Sequence, residues 1–154
     1  MKNGKAFLCP KDVTTSADYR QNQRNNMLST YVMNGVVVDD GGATSAPKAS
    51  AVWSPLCYLL WEPDEYLASP SDPNGEGAFE WNDGSNFPDS PPYGCEGIGR
   101  MHSKDGGNIL ALDGHVDYLK EAQFAQQASI PYTDGRTLLW WSTIDANGGG
   151  SGYR

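Results

Sequence analysis

Positive charge, histidine and long apolar runs are what this chain has least of. Lys and Arg together number 11 against 19 Asp and Glu, giving a formal charge of −8. A nucleic-acid backbone is held by clustered Lys and Arg, so nucleic acid is excluded as an expected partner. Anionic membrane surfaces would be repelled for the same reason. No stretch approaches the roughly 20 apolar residues of a membrane-spanning helix. Nor does the opening segment, Met1 to Pro10, contain the apolar core of about 7 to 15 residues that a secretory leader carries. Gly-x-Ser-x-Gly elbows, phosphate loops, dinucleotide fingerprints and His-Glu-x-x-His pairs are absent as well, so the sequence predicts no enzyme and no catalytic residues. The 3 cysteines, Cys9, Cys57 and Cys95, are spaced too widely for a Cys-x-x-Cys metal or redox motif. Any single disulfide leaves one thiol over, and three buried reduced thiols is the alternative.

What the chain has in quantity is turn chemistry and aromatic bulk: 18 glycines, 10 prolines, 5 tryptophans and 8 tyrosines in 154 residues. That composition predicts one domain over 1–154, loop-rich and built on short strands. Thr14 to Met27 is polar and lacks an apolar stripe. Ser29 to Val38, interrupted at Asn34-Gly35, reads as a hairpin or a bulged strand. Val52 to Trp61 is an apolar strand broken by Pro55, which leaves Cys57 to Trp61 as the part expected to sit centrally in a sheet. Glu62 to Glu96 is irregular and proline-rich, and its aromatics favour an ordered excursion. Lys120 to Ser129 is the best helix candidate, with Phe124 and Ala128 one turn apart and Pro131 beyond its end. Thr137 to Ile144 reads as a final apolar strand, with Trp140 and Trp141 on opposite faces. Gly148 to Gly152 is a flexible tail.

Asp113-Gly114 suits a two-residue hairpin turn of the type that needs positive φ at both central positions. The flanking strands, Asn108 to Leu112 and His115 to Leu119, would then pair Ala111 with Val116 and Ile109 with Tyr118. Ile109, Ala111, Val116 and Tyr118 would face the core, and Leu110, Leu112, His115 and Asp117 would line a wetter face.

His102, Asp113 and His115 are the residues that tempt a catalytic or zinc assignment. Asp113 is explained by its turn, and zinc would need Glu62 or Cys95 recruited at spacings matching no standard pattern, so no metal is assigned. A structural role for His102 is preferred, pinning its loop through both ring nitrogens to Glu62 or Asp113, with Glu62 the natural partner. Exposed aromatics leave an extracellular carbohydrate-binding module as one alternative function. A small metal-dependent hydrolase using His102 and His115 is the other.

The stretch from His102 to Asp113-Gly114 resembles the C-terminal signature of type II secretion pseudopilin-like proteins, the prepilin-type processing-associated domain with a His, nine residues and Asp-Gly. Here ten residues intervene between His102 and Asp113. Phe7-Leu8-Cys9-Pro10-Lys11-Asp12 resembles that family's Cys-Pro-Ser-Asp element, Ser29 to Asn34 its Ser-Tyr-x-Met-Asn element, and Leu59-Leu60-Trp61-Glu62 its apolar strand ending in Glu. Leu138 to Trp141 is similar to its aromatic C-terminal strand. The resemblance implies an α+β pilin-like globular head: a small antiparallel β-sheet with long irregular loops and one or two short helices. It further implies a structural subunit, periplasmic or extracellular, whose partners are other pseudopilin subunits and the secretion machinery. Contact with the membrane would come through an N-terminal anchor helix upstream, with Met1 not the native start, and an apolar groove on the head would receive that helix. His102, Asp113, Gly114, Glu62, Cys9, Pro10 and Asn34 are the structural motif residues the resemblance carries over. Export would permit a Cys57–Cys95 bridge. Calcium is a possible cofactor on the same grounds, at Asp72 to Glu76, Asp83 to Asn86 or Asp145 to Gly148, though none has the spacing of an EF-hand loop.

Overall fold

The computed structural model of the protein describes residues 7–11, 29–38, 48–64, 84–86, 97–99, 102–103, 105–130 and 136–143. The fold is α+β. Strands β1 (Val32–Asn34), β2 (Tyr58–Trp61), β3 (Ser85–Asn86), β4 (Gly106–Ala111) and β5 (Val116–Lys120) form one sheet in the order β3-β1-β2-β4-β5. The neighbouring pairs β1–β2, β2–β4 and β4–β5 are antiparallel, and β3 adds in parallel beside β1. The helices are α1 (Gly35–Val38) and α2 (Glu121–Ala128), with a 3-10 turn at Ala49–Ala51.

β2 is the middle strand, as its apolar Tyr-Leu-Leu-Trp run leads one to expect. A register shift between Tyr58 and Leu60 puts Tyr58 and Trp61 on the same face, opposite Ala111 and Ile109. That face is the core side, where Val32, Trp61, Ile109 and Leu119 are buried with Phe124 and Ala128 of α2. The helix forms where the sequence places it. Gln123 turns back to accept a hydrogen bond from the Lys120 N–H at 3.2 Å, capping the first turn, and Phe124 meets Trp61 edge to face at 5.6 Å.

Two expected strands are otherwise. Asn34-Gly35 makes no hairpin: β1 ends at Asn34 and α1 begins at Gly35. The reason is the Asn34 side chain, which is fully buried and accepts the Val36 N–H at 3.2 Å, turning the chain into a helical turn. The segment 136–143 joins no ladder either. Thr137 Oγ1 accepts the N–H groups of Leu139 and Trp140, and the Thr137 N–H reaches the Trp140 carbonyl at 2.6 Å, so the chain loops instead of extending. Without strand alternation Trp140 and Trp141 are both buried. Their indole N–H groups donate to the carbonyls of Ala128 and Tyr58.

The hairpin register also differs from the expected one. Leu110 pairs with Val116 and Ile109 with Asp117, one step from a two-residue loop. The turn runs from Ala111, whose carbonyl accepts the Gly114 N–H at 3.1 Å, and Gly114 alone supplies the left-handed residue, at φ +91°. This is a three-residue loop closed by a glycine bulge, so Leu112 and Asp113 are its central pair. Val116 and Tyr118 are consequently exposed instead of facing the core, and Leu119 is buried in their place.

Cys57 is a buried free thiol, so the expected bridge to Cys95 is not made; burial pushes it up to about 11. Cys95, Asp72 to Glu76, Asp83 and Asp145 to Gly148 lie outside the described residues, as does most of Glu62 to Glu96.

Candidate functional site

Three segments far apart in sequence meet beyond one end of the β1–β2 pair. Val32 of β1 sits opposite Trp61 of β2, so the residues just outside that pair, Tyr31 and Glu62, are brought side by side. Segment 7–11 is tied to the same corner: the Thr30 N–H donates to the Phe7 carbonyl at 3.0 Å, and the Cys9 N–H donates to Thr30 Oγ1 at 2.7 Å. The third segment arrives through Gly99, whose N–H donates to the Glu62 carbonyl at 2.5 Å. A Cβ on Gly99 would lie 2.6 Å from the Pro63 carbonyl, so only glycine allows this approach. Trp61 Nε1 donates to the Gly97 carbonyl at 3.0 Å and fixes the same strap, which then leads to His102.

The result joins Cys9, Glu62 and His102. His102 Nε2 lies 3.3 Å from Glu62 Oε1 and 3.3 Å from Cys9 Sγ. All three ligand-type atoms fall within 4.8 Å of one another, which among the described residues is true of no other set of three His, Cys, Asp or Glu. Cys9 and Glu62 are buried, while the His102 side chain is 29% exposed. Glu62 Oε2 has no hydrogen-bond partner. The Lys11 N–H donates to Cys9 Sγ at 3.3 Å. Tyr31 closes the group; burial first, then the charge of Glu62 and the charge and hydrogen bond of Cys9, push its phenol up to about 12.

The pairing of His102 with Glu62 follows the sequence expectation, but it runs through Nε2 alone and not through both ring nitrogens. That detail limits the chemistry. In a Cys-His-carboxylate relay the base takes the thiol proton on one nitrogen while the carboxylate holds the other. Here thiol and carboxylate crowd the same nitrogen, a convergent arrangement and not a relay.

His115 belongs to a different group. Its Nδ1 lies 2.5 Å from Asp113 Oδ1 and its Nε2 3.0 Å from Asp117 Oδ2, while the His115 N–H also donates to Asp113 Oδ1 at 3.0 Å. The two imidazoles thus serve separate carboxylates, and Asp113 answers His115, not His102. Beside them, Tyr118 donates to Asp105 Oδ1 at 2.8 Å, and Ser103 binds both Asp105 and Tyr118. Of the exposed aromatics on which a sugar would stack, Trp53 already carries the Arg136 guanidinium 4.9 Å above its ring.

Asn34 and Gly114 have the structural parts described above, and Pro10 follows Cys9 in an exposed turn. The sequence pairs His102 with Glu62 and sets Cys9 apart in its Cys-Pro element, and it places Thr30 and Tyr31 in the Ser29–Asn34 element with no part in a site. A polar Thr-Tyr pair directly ahead of a buried strand was the available signal. Comparison with protein-family profiles, with curated proteins and with solved structures finds no match to this chain.

Proposed function

We propose that this chain is the globular head of a pseudopilin-like structural subunit, periplasmic or extracellular, that assembles through an upstream hydrophobic helix into a fibre with other subunits of a type II secretion or related system. One observation carries the reading. On the face of the sheet away from the core, Met33, Leu60, Leu110 and Val116 sit opposite one another in an unbroken row across β1, β2, β4 and β5. Met33, Leu60 and Leu110 are half-buried and Val116 is 62% exposed. None of the four belongs to either buried cluster of the described residues. A sheet normally leaves polar residues on a face it does not bury.

Strands lie about 4.8 Å apart, so three gaps make a row of about 14 Å. At 1.5 Å per residue that is about ten residues of an α-helix laid across the strands. An amphipathic helix of that length would cover the row, whereas a fibre subunit lacking its helix would leave it open. The hairpin that contains Asp113-Gly114 supplies Leu110 and Val116 to this row, which gives it a scaffolding part. No helix among the described residues is long and apolar enough to cross a membrane; the anchor's place in a segment upstream is itself part of the proposal. The test is the genomic sequence before Met1. A reading frame continuing upstream through a leader and a long apolar helix is expected; an in-frame stop close before Met1 would end the proposal.

A further inference from the structure

The Cys9–Glu62–His102 group has a feature that hydrogen bonding among its members does not account for. A ring nitrogen carries either a proton or a lone pair. If His102 Nε2 accepts the Cys9 thiol proton, the same lone pair faces Glu62 Oε1; if it donates to Glu62, the sulfur 3.3 Å away faces that one shared N–H. Either way Glu62, with no exposed surface, is left with Oε2 unpartnered. A buried carboxylate lacking a full set of partners or a counter-cation is among the costlier arrangements a fold can hold. Among the described residues, the ion-pair partner of Glu62 is His102, and no Lys or Arg takes that place.

A divalent cation removes the conflict in one step. It takes the Nε2 lone pair, the thiolate and the carboxylate together, and with one thiolate, one carboxylate and a neutral imidazole the site carries no net charge. The spacing suits it. Metal–nitrogen and metal–oxygen bonds of about 2.0–2.2 Å and a metal–sulfur bond of about 2.3 Å at tetrahedral angles give ligand–ligand edges of roughly 3.3–3.6 Å. The two edges at His102 Nε2 are each 3.3 Å. The Asp113–His115–Asp117 group makes the contrast: its imidazole spans two carboxylates through opposite nitrogens, so those ligand atoms do not converge.

We propose that Cys9, Glu62 and His102 form a binding site for a single divalent transition-metal ion, zinc by its mixed sulfur, nitrogen and oxygen ligands, which clamps three segments of the chain together. Sulfur beside nitrogen selects against calcium and magnesium, which take oxygen ligands. The Lys11 N–H holds the thiolate from the backbone, and the Tyr31 hydroxyl, hydrogen-bonded to Cys9, orients the sulfur from outside the ligand set. The partly exposed His102 leaves the solvent side for water as fourth ligand. The clamp fastens the Cys9-Pro10 turn and the His102 loop, 93 residues apart, to the end of β2. It does not depend on the fibre reading.

The experiment loads the chelator-stripped full chain with cobalt(II) alone, then with zinc. One equivalent of cobalt should produce a sulfur-to-cobalt charge-transfer band and tetrahedral ligand-field bands, displaced by zinc. Cys9→Ser should abolish the charge-transfer band, and His102→Ala should weaken cobalt binding at least tenfold. In the unaltered chain, zinc should protect Cys9 from alkylation, mapped by mass spectrometry, which keeps the test decisive if Cys9→Ser fails to fold. Absence of the charge-transfer band, its persistence in a folded Cys9→Ser variant, or Cys9 alkylation unaffected by zinc would overturn the proposal.

Discussion

Leu110 and Val116 face each other across the β4–β5 hairpin, and that one pairing decides which side of the sheet every residue of β5 addresses. A one-residue change of register would exchange the two faces, sending Val116 inward opposite Ala111 and Leu119 outward. The observed register predicts unequal responses to substitution. Val116→Lys, at a side chain that is 62% exposed, should change unfolding free energy by less than about 1 kcal/mol. Ile109→Ala, at a buried position in the core cluster, should lose about 2–5 kcal/mol. Urea unfolding of the two variants checks this. A Val116→Lys loss as large as that of Ile109→Ala would mean that the hairpin closes with the shorter loop.

Asn34 holds three parts of the fold at once. Its side-chain amide donates to the Tyr58 carbonyl at 3.0 Å and the Leu139 carbonyl at 2.9 Å, while its oxygen accepts from Val36. Trp141 Nε1 also donates to the Tyr58 carbonyl at 3.2 Å, so that acceptor keeps a partner if Asn34 is removed. The Leu139 carbonyl loses the Asn34 donor. Asn34→Ala should therefore cost about 1–3 kcal/mol. Asn34→Asp should cost more, since a carboxylate cannot donate to either carbonyl and would be buried with no exposed surface. Denaturant midpoints give the ranking, and an Asp variant as stable as the Ala variant would contradict it.

The parts of this fold legible in the sequence are those in which one local signal sets the outcome. α2 is such a case, because Phe124 and Ala128 one turn apart mark its buried face. So is β2, too apolar to be an edge and found in the middle of the sheet. The hairpin was legible as a hairpin, but Asp-Gly serves both the two-residue and the three-residue loop, and the choice rests on which residues of β5 the core accepts. Leu119, and not Tyr118, packs with Trp61 and Ile109. Thr137 to Ile144 reads as a strand because its apolar residues are contiguous, yet contiguity records burial and not extension. Thr137 capping its own turn decides against the strand. At the candidate site, Glu62 and His102 could be matched as carboxylate and imidazole. Cys9 could not be joined to them, because its approach depends on Thr30 and on the path of segment 7–11.

His115 makes the hairpin pH-sensitive. Its imidazole is held above the ordinary value of 6.5, first by the hydrogen bond to Asp113 and then by that to Asp117. A folded value above the unfolded one means that the charged form favours folding. That contribution is complete below about 6.5 and is lost as pH rises through the raised value. Asp113 works in the opposite sense. The His115 backbone N–H, then its imidazole, hold this carboxyl below 3.8. Its contribution is present above that ordinary value and is lost as pH falls through the depressed one. Both operate in full only between the ordinary carboxylate and imidazole values. An NMR titration of the His115 ring should therefore give a midpoint above that of an unstructured histidine. The midpoint should fall in Asp117→Asn and fall further when Asp113→Asn is added. An unchanged midpoint in the double variant would show that the two carboxylates do not hold the imidazolium.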